Sequence, residues 1–195
     1  TVMSIAENYP PHVLSCVMNH LGTHDTPRIL TALGDCPSMS KEEQASYRLP
    51  AEKRKLAMER LRLASFLQFT LPGMPSIYYG DEIGMEGFDD PFCRCCYPWG
   101  QEDRELQAHY RALCKLKNDL PALKLGDVRI LEAGQGRLAY ERRTDAQTAV
   151  VYVNQGEKTW RLPEKMRLRF GKNLSFDGEC YELGSNGFCV MMVER

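Results

Sequence analysis

Two short stretches of the chain hold most of the residues that could do chemistry. The first is Thr23-His24-Asp25-Thr26-Pro27-Arg28, and the second runs from Gly80-Asp81-Glu82 through Asp89 and Asp90 to Arg94. An adjacent imidazole and carboxylate such as His24 and Asp25 can hydrogen-bond neighbouring hydroxyls of a sugar ring and stabilise positive charge developing on it. The plainer alternative is that Asp25 and Thr26 cap a helix opening at Pro27, with His24 a buried, hydrogen-bonded ring. Spacing alone leaves both open. A third group, Cys93-Arg94-Cys95-Cys96, lacks the paired spacing of a zinc knuckle, and the next histidine downstream is His109, so no metal or other cofactor is expected.

These groups need elements to hold them. The apolar run over residues 13–18 reads as a strand buried on both faces, with His24 and Asp25 just past its end. A short helix is expected from Pro27 toward Gly34, and one helical turn over 41–47. The clearest helix spans 51–71, where Leu56, Leu63, Ala64, Leu67 and Leu71 share a face and Pro72-Gly73 supplies the stop. Residues 76–79 read as a second strand, making a βαβ unit with a parallel pair. Asp81, Glu82, Asp90 and Arg94 then also follow a strand end, where parallel α/β folds gather ligands. A further helix over 101–120 places Leu106, Tyr110, Leu113, Leu116 and Leu120 in register. After Gly126 about seven short β-rich segments alternate with turns such as Ser185-Asn186-Gly187, the pattern of an antiparallel sandwich or barrel. The chain is therefore α/β over 1–123 and all-β over 124–195.

Composition narrows the function. With 25 basic and 26 acidic residues and a net charge of −1, nucleic acid is an unsuitable partner. The densest basic run, Lys53-Arg54-Lys55, sits between Glu52 and Glu59 on a helix and reads as a solvated face. No apolar run approaches membrane-spanning length, so no membrane partner is expected. Eight cysteines among 195 residues fall below the density of a disulfide scaffold, which favours reduced thiols in the cytoplasm.

Several segments in order carry a resemblance. Leu21 to Arg28 (LGTHDTPR) resembles the fourth sequence region of the α-amylase family of glycoside hydrolases, in the form found in neopullulanases, cyclomaltodextrinases and maltogenic amylases. Gly73 to Gly84 (GMPSIYYGDEIG) resembles that family's last barrel strand. Asp90-Pro91-Phe92-Cys93-Arg94, ending at Pro98-Trp99, is similar to the following segment that lines the sugar cleft. The β-rich remainder matches the family's C-terminal antiparallel domain in place and length. The resemblance thus implies the last two βα units of a (β/α)8 TIM barrel followed by an antiparallel β-sandwich.

It also implies roles. Asp25 corresponds to the third catalytic carboxylate, which grips hydroxyls of the distorted ring, and His24 to its hydrogen-bonding neighbour. Asp90 and Arg94 match residues that hold the next sugar, and Arg28 falls within the same substrate-binding motif. Glu82 and Gly80 belong to the strand-end motif in a structural capacity. Thr23 stands where many relatives carry Asn or Ser, and Cys95 and Cys96 where they often have Arg and a larger residue.

The family's nucleophile lies in a Gly-x-Arg-x-Asp stretch and its general acid is a Glu on the following strand; neither occurs here. The chain is accordingly read as the C-terminal portion of an enzyme acting on α-glucans, maltooligosaccharides or cyclodextrins. By itself it is expected to be inactive and to self-associate through exposed barrel edges. The alternative is a non-catalytic sugar-binding or protein-interaction module of the same ancestry. A sucrose- or trehalose-converting relative also remains open.

Overall fold

The computed structural model describes residues 2–164 and 166–193. In chain order it contains helices α1 (Val2–Asn8) and α2 (Pro11–Leu14), strand β1 (Met18–His20), helices α3 (Ile29–Ala32), α4 (Lys41–Ser46) and α5 (Ala51–Thr70), strand β2 (Met74–Ser76), and helices α6 (Arg104–Asp119) and α7 (Pro121–Leu125). Six strands follow: β3 (Asp127–Gly134), β4 (Arg137–Arg143), β5 (Thr148–Asn154), β6 (Trp160–Arg161), β7 (Met166–Phe176) and β8 (Tyr181–Val193). Residues 18–69 and 75–114 form one compact unit, and the other described residues form a second.

The expected strand over 13–18 is displaced. Pro11 sits in the first turn of α2, where its fixed φ suits a helix, so the apolar run is split and the strand begins only at Met18. β1 and β2 are hydrogen-bonded neighbours in a two-stranded sheet. Gln68 of α5 braces this pair: its amide donates to the Asn19 carbonyl at 2.8 Å and to the Ser76 carbonyl at 2.9 Å. The second strand also lies earlier than expected, at Met74–Ser76, because Tyr78 and Tyr79 lead into the turn at Gly80.

The buried stripe of α5 differs from the apolar periodicity. Leu56 is exposed, whereas Ala57, Leu61, Ser65 and Gln68 are buried. The polar members enter the core because they are satisfied there: Ser65 Oγ donates to the Leu61 carbonyl at 2.7 Å and contacts His109 Nε2 at 3.0 Å. α4 begins with a capping box between Ser40 and Glu43. In α6 the expected register holds, with Leu106, Tyr110, Leu113 and Leu116 buried. Its start moves to Arg104, since Asp103 caps it by accepting from the Leu106 amide at 2.9 Å.

In the second unit the turn after α5 is capped by cations. Lys117 Nζ donates to the Gly73 and Leu71 carbonyls at 2.8 and 3.3 Å, and Arg142 donates to the Thr70 and Gly126 carbonyls. The strands run antiparallel in the order β3-β4-β5-β8-β6, with β7 also on β8. There are six, against about seven expected, because Ser185-Asn186-Gly187 does not end a strand. Residues 184–187 instead interrupt the pairing of β8 with β7 opposite Asn173, between Lys172↔Phe188 and Leu174↔Leu183, while Gly187 still pairs with Asn154 of β5. Asn186 takes the positive φ that its turn chemistry suits, and Asn173 donates to the Ser185 and Asn186 carbonyls at 3.2 and 3.4 Å. All six strands are thereby joined in a single hydrogen-bonded sheet. Its core contains Ala139, Val150, Tyr152, Leu162, Leu183, Cys189 and Met191.

Candidate functional site

The loop after β1 is shaped by two threonines. Thr23 N donates to Thr26 Oγ1 at 3.0 Å, and Asp25 N donates to Thr23 Oγ1 at 3.3 Å. This knot uses Thr26 within the turn, so it does not cap the helix as sequence suggested; α3 begins at Ile29, with Arg28 as N-cap and no side-chain cap. The turn leaves His24 and Asp25 outward-facing, with side chains 66% and 68% exposed and His24 Nε2 lying 3.1 Å from Asp25 Oδ2.

The loop after β2 reaches the same place. Gly87 ties it to the region of α3, its carbonyl accepting from Arg28 N at 2.8 Å and its amide donating to Thr31 Oγ1 at 2.9 Å. From there the chain delivers Asp90 and Arg94. Arg94 Nη2 is 3.3 Å from Asp25 Oδ1, Arg94 Nε is 3.1 Å from Asp90 Oδ1, and the same Nε donates to the His24 carbonyl at 3.1 Å. Cys93, buried beneath, also donates its thiol to that carbonyl at 3.1 Å. Asp90, Arg94, Asp25 and His24 thus form a continuous polar chain on one exposed surface. Exposed ion pairs of this kind contribute at most about 1 kcal/mol each to stability. Their effect is therefore to orient the groups, not to hold the fold.

Arg28, expected among the sugar-binding residues, is placed elsewhere. It is 1% exposed, and its Nη1 lies 3.3 Å from Asp81 Oδ1 and donates to the Tyr79 carbonyl. Its guanidinium carbon stands 4.3 Å and 4.4 Å from the centroids of the Tyr78 and Tyr79 rings, a cation-π clamp. The sequence motif identified the residue but not its direction. Its role is to position the floor under the exposed cluster. Burial pushes the Asp81 carboxyl up to about 6, against the opposing pull of Arg28. Two glycines make room for this floor. A Cβ on Gly22 would stand 2.6 Å from Asp81 Oδ2, and Gly80 turns the chain at φ +87°.

Beyond Arg94, Tyr79 OH donates to the Cys95 carbonyl at 2.8 Å, and the Tyr97 and Trp99 rings lie 4.5 Å apart with Trp99 largely exposed. The thiol contact of Cys93 and the tyrosine clamp on Arg28 carried no sequence signal, since each depends on residues dozens of positions apart. Among the described residues no group of three or more His, Cys, Asp or Glu side chains lies close enough to hold a metal ion.

Comparison with known proteins places these features in context. The sequence model for the alpha amylase catalytic domain matches residues 5–120. An amylopullulanase from Thermoanaerobacter thermohydrosulfuricus is 39% identical over 168 residues, covering 80% of this chain and 11% of its own length. A cyclomaltodextrinase from Geobacillus thermopakistaniensis is 30% identical over 207 residues, covering 99% of this chain and 32% of the relative. Among solved structures, the Nostoc punctiforme debranching enzyme in its native form superposes with a TM-score of 0.76 at 22% identity, over 98% of this chain and 38% of that one. A cyclomaltodextrinase structure gives 0.71 at 28% identity, over 95% and 31%. The chain spans about a third or less of the length of the curated relatives named here.

Proposed function

Because the chain belongs to the α-amylase family of glycoside hydrolases, we propose that it supplies the sugar-gripping side of an α-glucan-active, neopullulanase-like enzyme. In this reading Asp25 is a catalytic carboxylate that holds the hydroxyls of the distorted ring. His24 donates to the same ring, and Asp90 and Arg94 hold the neighbouring sugar. The single observation that carries the reading is the convergence of Asp25, His24, Asp90 and Arg94 on one exposed surface through contacts of 3.1 to 3.3 Å. A carboxylate fixed by a guanidinium is pre-organised for hydroxyl groups, because neither has to reorient when the charge on the ring develops.

Residues 1–123 are then the last two βα units of a (β/α)8 barrel and 124–195 its C-terminal antiparallel β domain, whose strands form one sheet and not the sandwich expected from sequence. A retaining mechanism needs a nucleophile and an acid about 5 Å apart across the scissile bond. Both would come from preceding polypeptide, so the 195-residue chain alone is inactive. Eight free cysteines support a reducing, cytoplasmic setting.

A reducing-sugar assay on starch, pullulan and cyclodextrin tests this, with the chain run beside a version extended by its preceding residues. The expected outcome is turnover by the extended chain only. Turnover by the short chain that disappears in Asp25→Asn would overturn the inactivity claim.

Self-association belongs to the same proposal. Val17, Met18, Met74, Ile77 and Tyr79, in and beside the two short strands, are all more than a third exposed. Unpaired strand edges rimmed with such side chains favour pairing between chains. Static light scattering should give a dimer or larger mass, and a monomer mass across a broad concentration range would count against it.

A further inference from the structure

We propose that the β-rich half carries a second α-glucan site, a cleft of about 600 Å³ where Trp160 and Tyr152 offer an aromatic wall and Glu132 and Glu164 a polar rim. The inference rests on the α-glucan reading above and assigns that ligand to a place outside the Asp25 cluster. The volume lies within the range of small-molecule sites.

The aromatic wall is fixed before any ligand arrives. Trp160 is half-buried; the Tyr152 ring meets it at 85° with centroids 5.3 Å apart, and the Arg137 guanidinium carbon lies 5.1 Å from its centroid. Arg137 is itself anchored on the Thr159 carbonyl at 3.3 Å. A pyranose ring presents an apolar face to such a surface and its hydroxyls outward. Little side-chain freedom remains to be lost on stacking.

One buried hydroxyl beside the cleft has only a weak partner. Tyr152 is only 5% exposed, yet its hydroxyl contacts nothing stronger among the described residues than the Met166 thioether, at 3.7 Å. Buried tyrosine hydroxyls ordinarily find a better acceptor, and a thioether is a weak one. Burial, with smaller contributions from Cys189 and then Glu132, pushes the Tyr152 hydroxyl up to about 12, so it stays protonated. At the rim, Glu132 and Glu164 are exposed and have no ion-pair or hydrogen-bond partner among the described residues, leaving both carboxylates open to accept from hydroxyls. Arg161 also lines the cleft, but it is engaged with Glu179 at 3.3 Å and Cys180 Sγ at 2.8 Å and shapes the wall instead of binding.

Native affinity electrophoresis of the 195-residue chain through gels containing glycogen or pullulan tests the site. Glycogen should retard the chain, and Trp160→Ala should weaken the association roughly tenfold. Because Trp160 packs against the core, a second variant guards the result: Glu132→Gln with Glu164→Gln alters only exposed groups and should weaken association roughly threefold. In a Trp99→Phe background, maltoheptaose should shift Trp160 fluorescence saturably. Retardation that is unchanged in both cleft variants, or is lost instead in Arg94→Ala, overturns the second site and leaves the α-glucan reading standing. Retardation by xylan or a peptide matrix but by no α-glucan overturns both, and a folded chain that nothing retards overturns the second site.

Discussion

In the chain extended by its preceding residues, Asp25→Asn lowers kcat on starch or cyclodextrin by on the order of 10²- to 10³-fold, the loss typical of removing one pre-organised group that stabilises developing charge. Asparagine keeps the shape of the side chain and can still accept a hydrogen bond, but it surrenders the negative charge that, in the proposed reading, faces the oxocarbenium-like ring. An interaction made chiefly in the transition state lowers kcat and kcat/KM together. Arg94 is 3.3 Å from Asp25 Oδ1 and 3.1 Å from Asp90 Oδ1, so its removal loosens the grip on ground state and transition state alike. Arg94→Ala should therefore raise KM more than it lowers kcat. If Asp25→Asn changed only KM, Asp25 would be an ordinary binding residue.

The largest stability effect is expected beneath this surface. Arg28→Ala should cost about 3 to 5 kcal/mol in urea unfolding, because removing one member of a buried pair leaves the other uncompensated. Arg28 is 1% and Asp81 3% exposed, and the same substitution also strips the Tyr78 and Tyr79 rings of the cation between them. The pH dependence has a definite sign. The folded Asp81 carboxyl titrates at about 6, above its ordinary 3.8, so between those values the native state binds more protons than the unfolded one. Wild-type stability contributed by this group is thus greatest below about pH 4 and falls as pH rises toward 6. Without Arg28 the fall steepens and extends higher, since Asp81 must then ionise with no cation beside it. Adding Asp81→Asn to Arg28→Ala should recover part of the loss above pH 6. A cost for Arg28→Ala below about 1 kcal/mol, or one flat with pH, would show that the pair is not a buried anchor.

This division between an exposed cluster and a buried anchor explains what was legible in the sequence. His24, Asp25, Asp90 and Arg94 could be picked out because the segments that carry them resemble motifs of the α-amylase family, and the structure brings these four together. Arg28 could not be separated from them, because whether a side chain turns in or out depends on Tyr78, Tyr79 and Asp81, some fifty residues away. The long helices were legible where apolar side chains alone fill the interior, as along α6. The extent of α5 was legible too, but its buried face was not, because Ser65 and Gln68 enter the core with their hydrogen bonds already made. Short elements fared worst. β1 has three residues, and its start was set by Pro11 upstream, not by the apolar run that marked it. In the β-rich half, Ser185-Asn186-Gly187 reads as a turn between strands, and Asn186 has a positive φ there. Local sequence could not tell a bulge from a hairpin, because the choice is made by Asn173 on the partner strand.

The most direct measurement is a crystal structure of the extended chain with a bound maltooligosaccharide. The Asp25 carboxylate is expected within hydrogen-bond distance of the hydroxyls of one distorted ring, with Asp90 and Arg94 on the next ring toward the non-reducing end. Two further carboxylates, both from residues preceding this chain, should flank the scissile bond about 5 Å apart. A sugar chain seated across the scissile-bond acids but out of reach of Asp25, or a facing pair of acids drawn from these 195 residues, would contradict it.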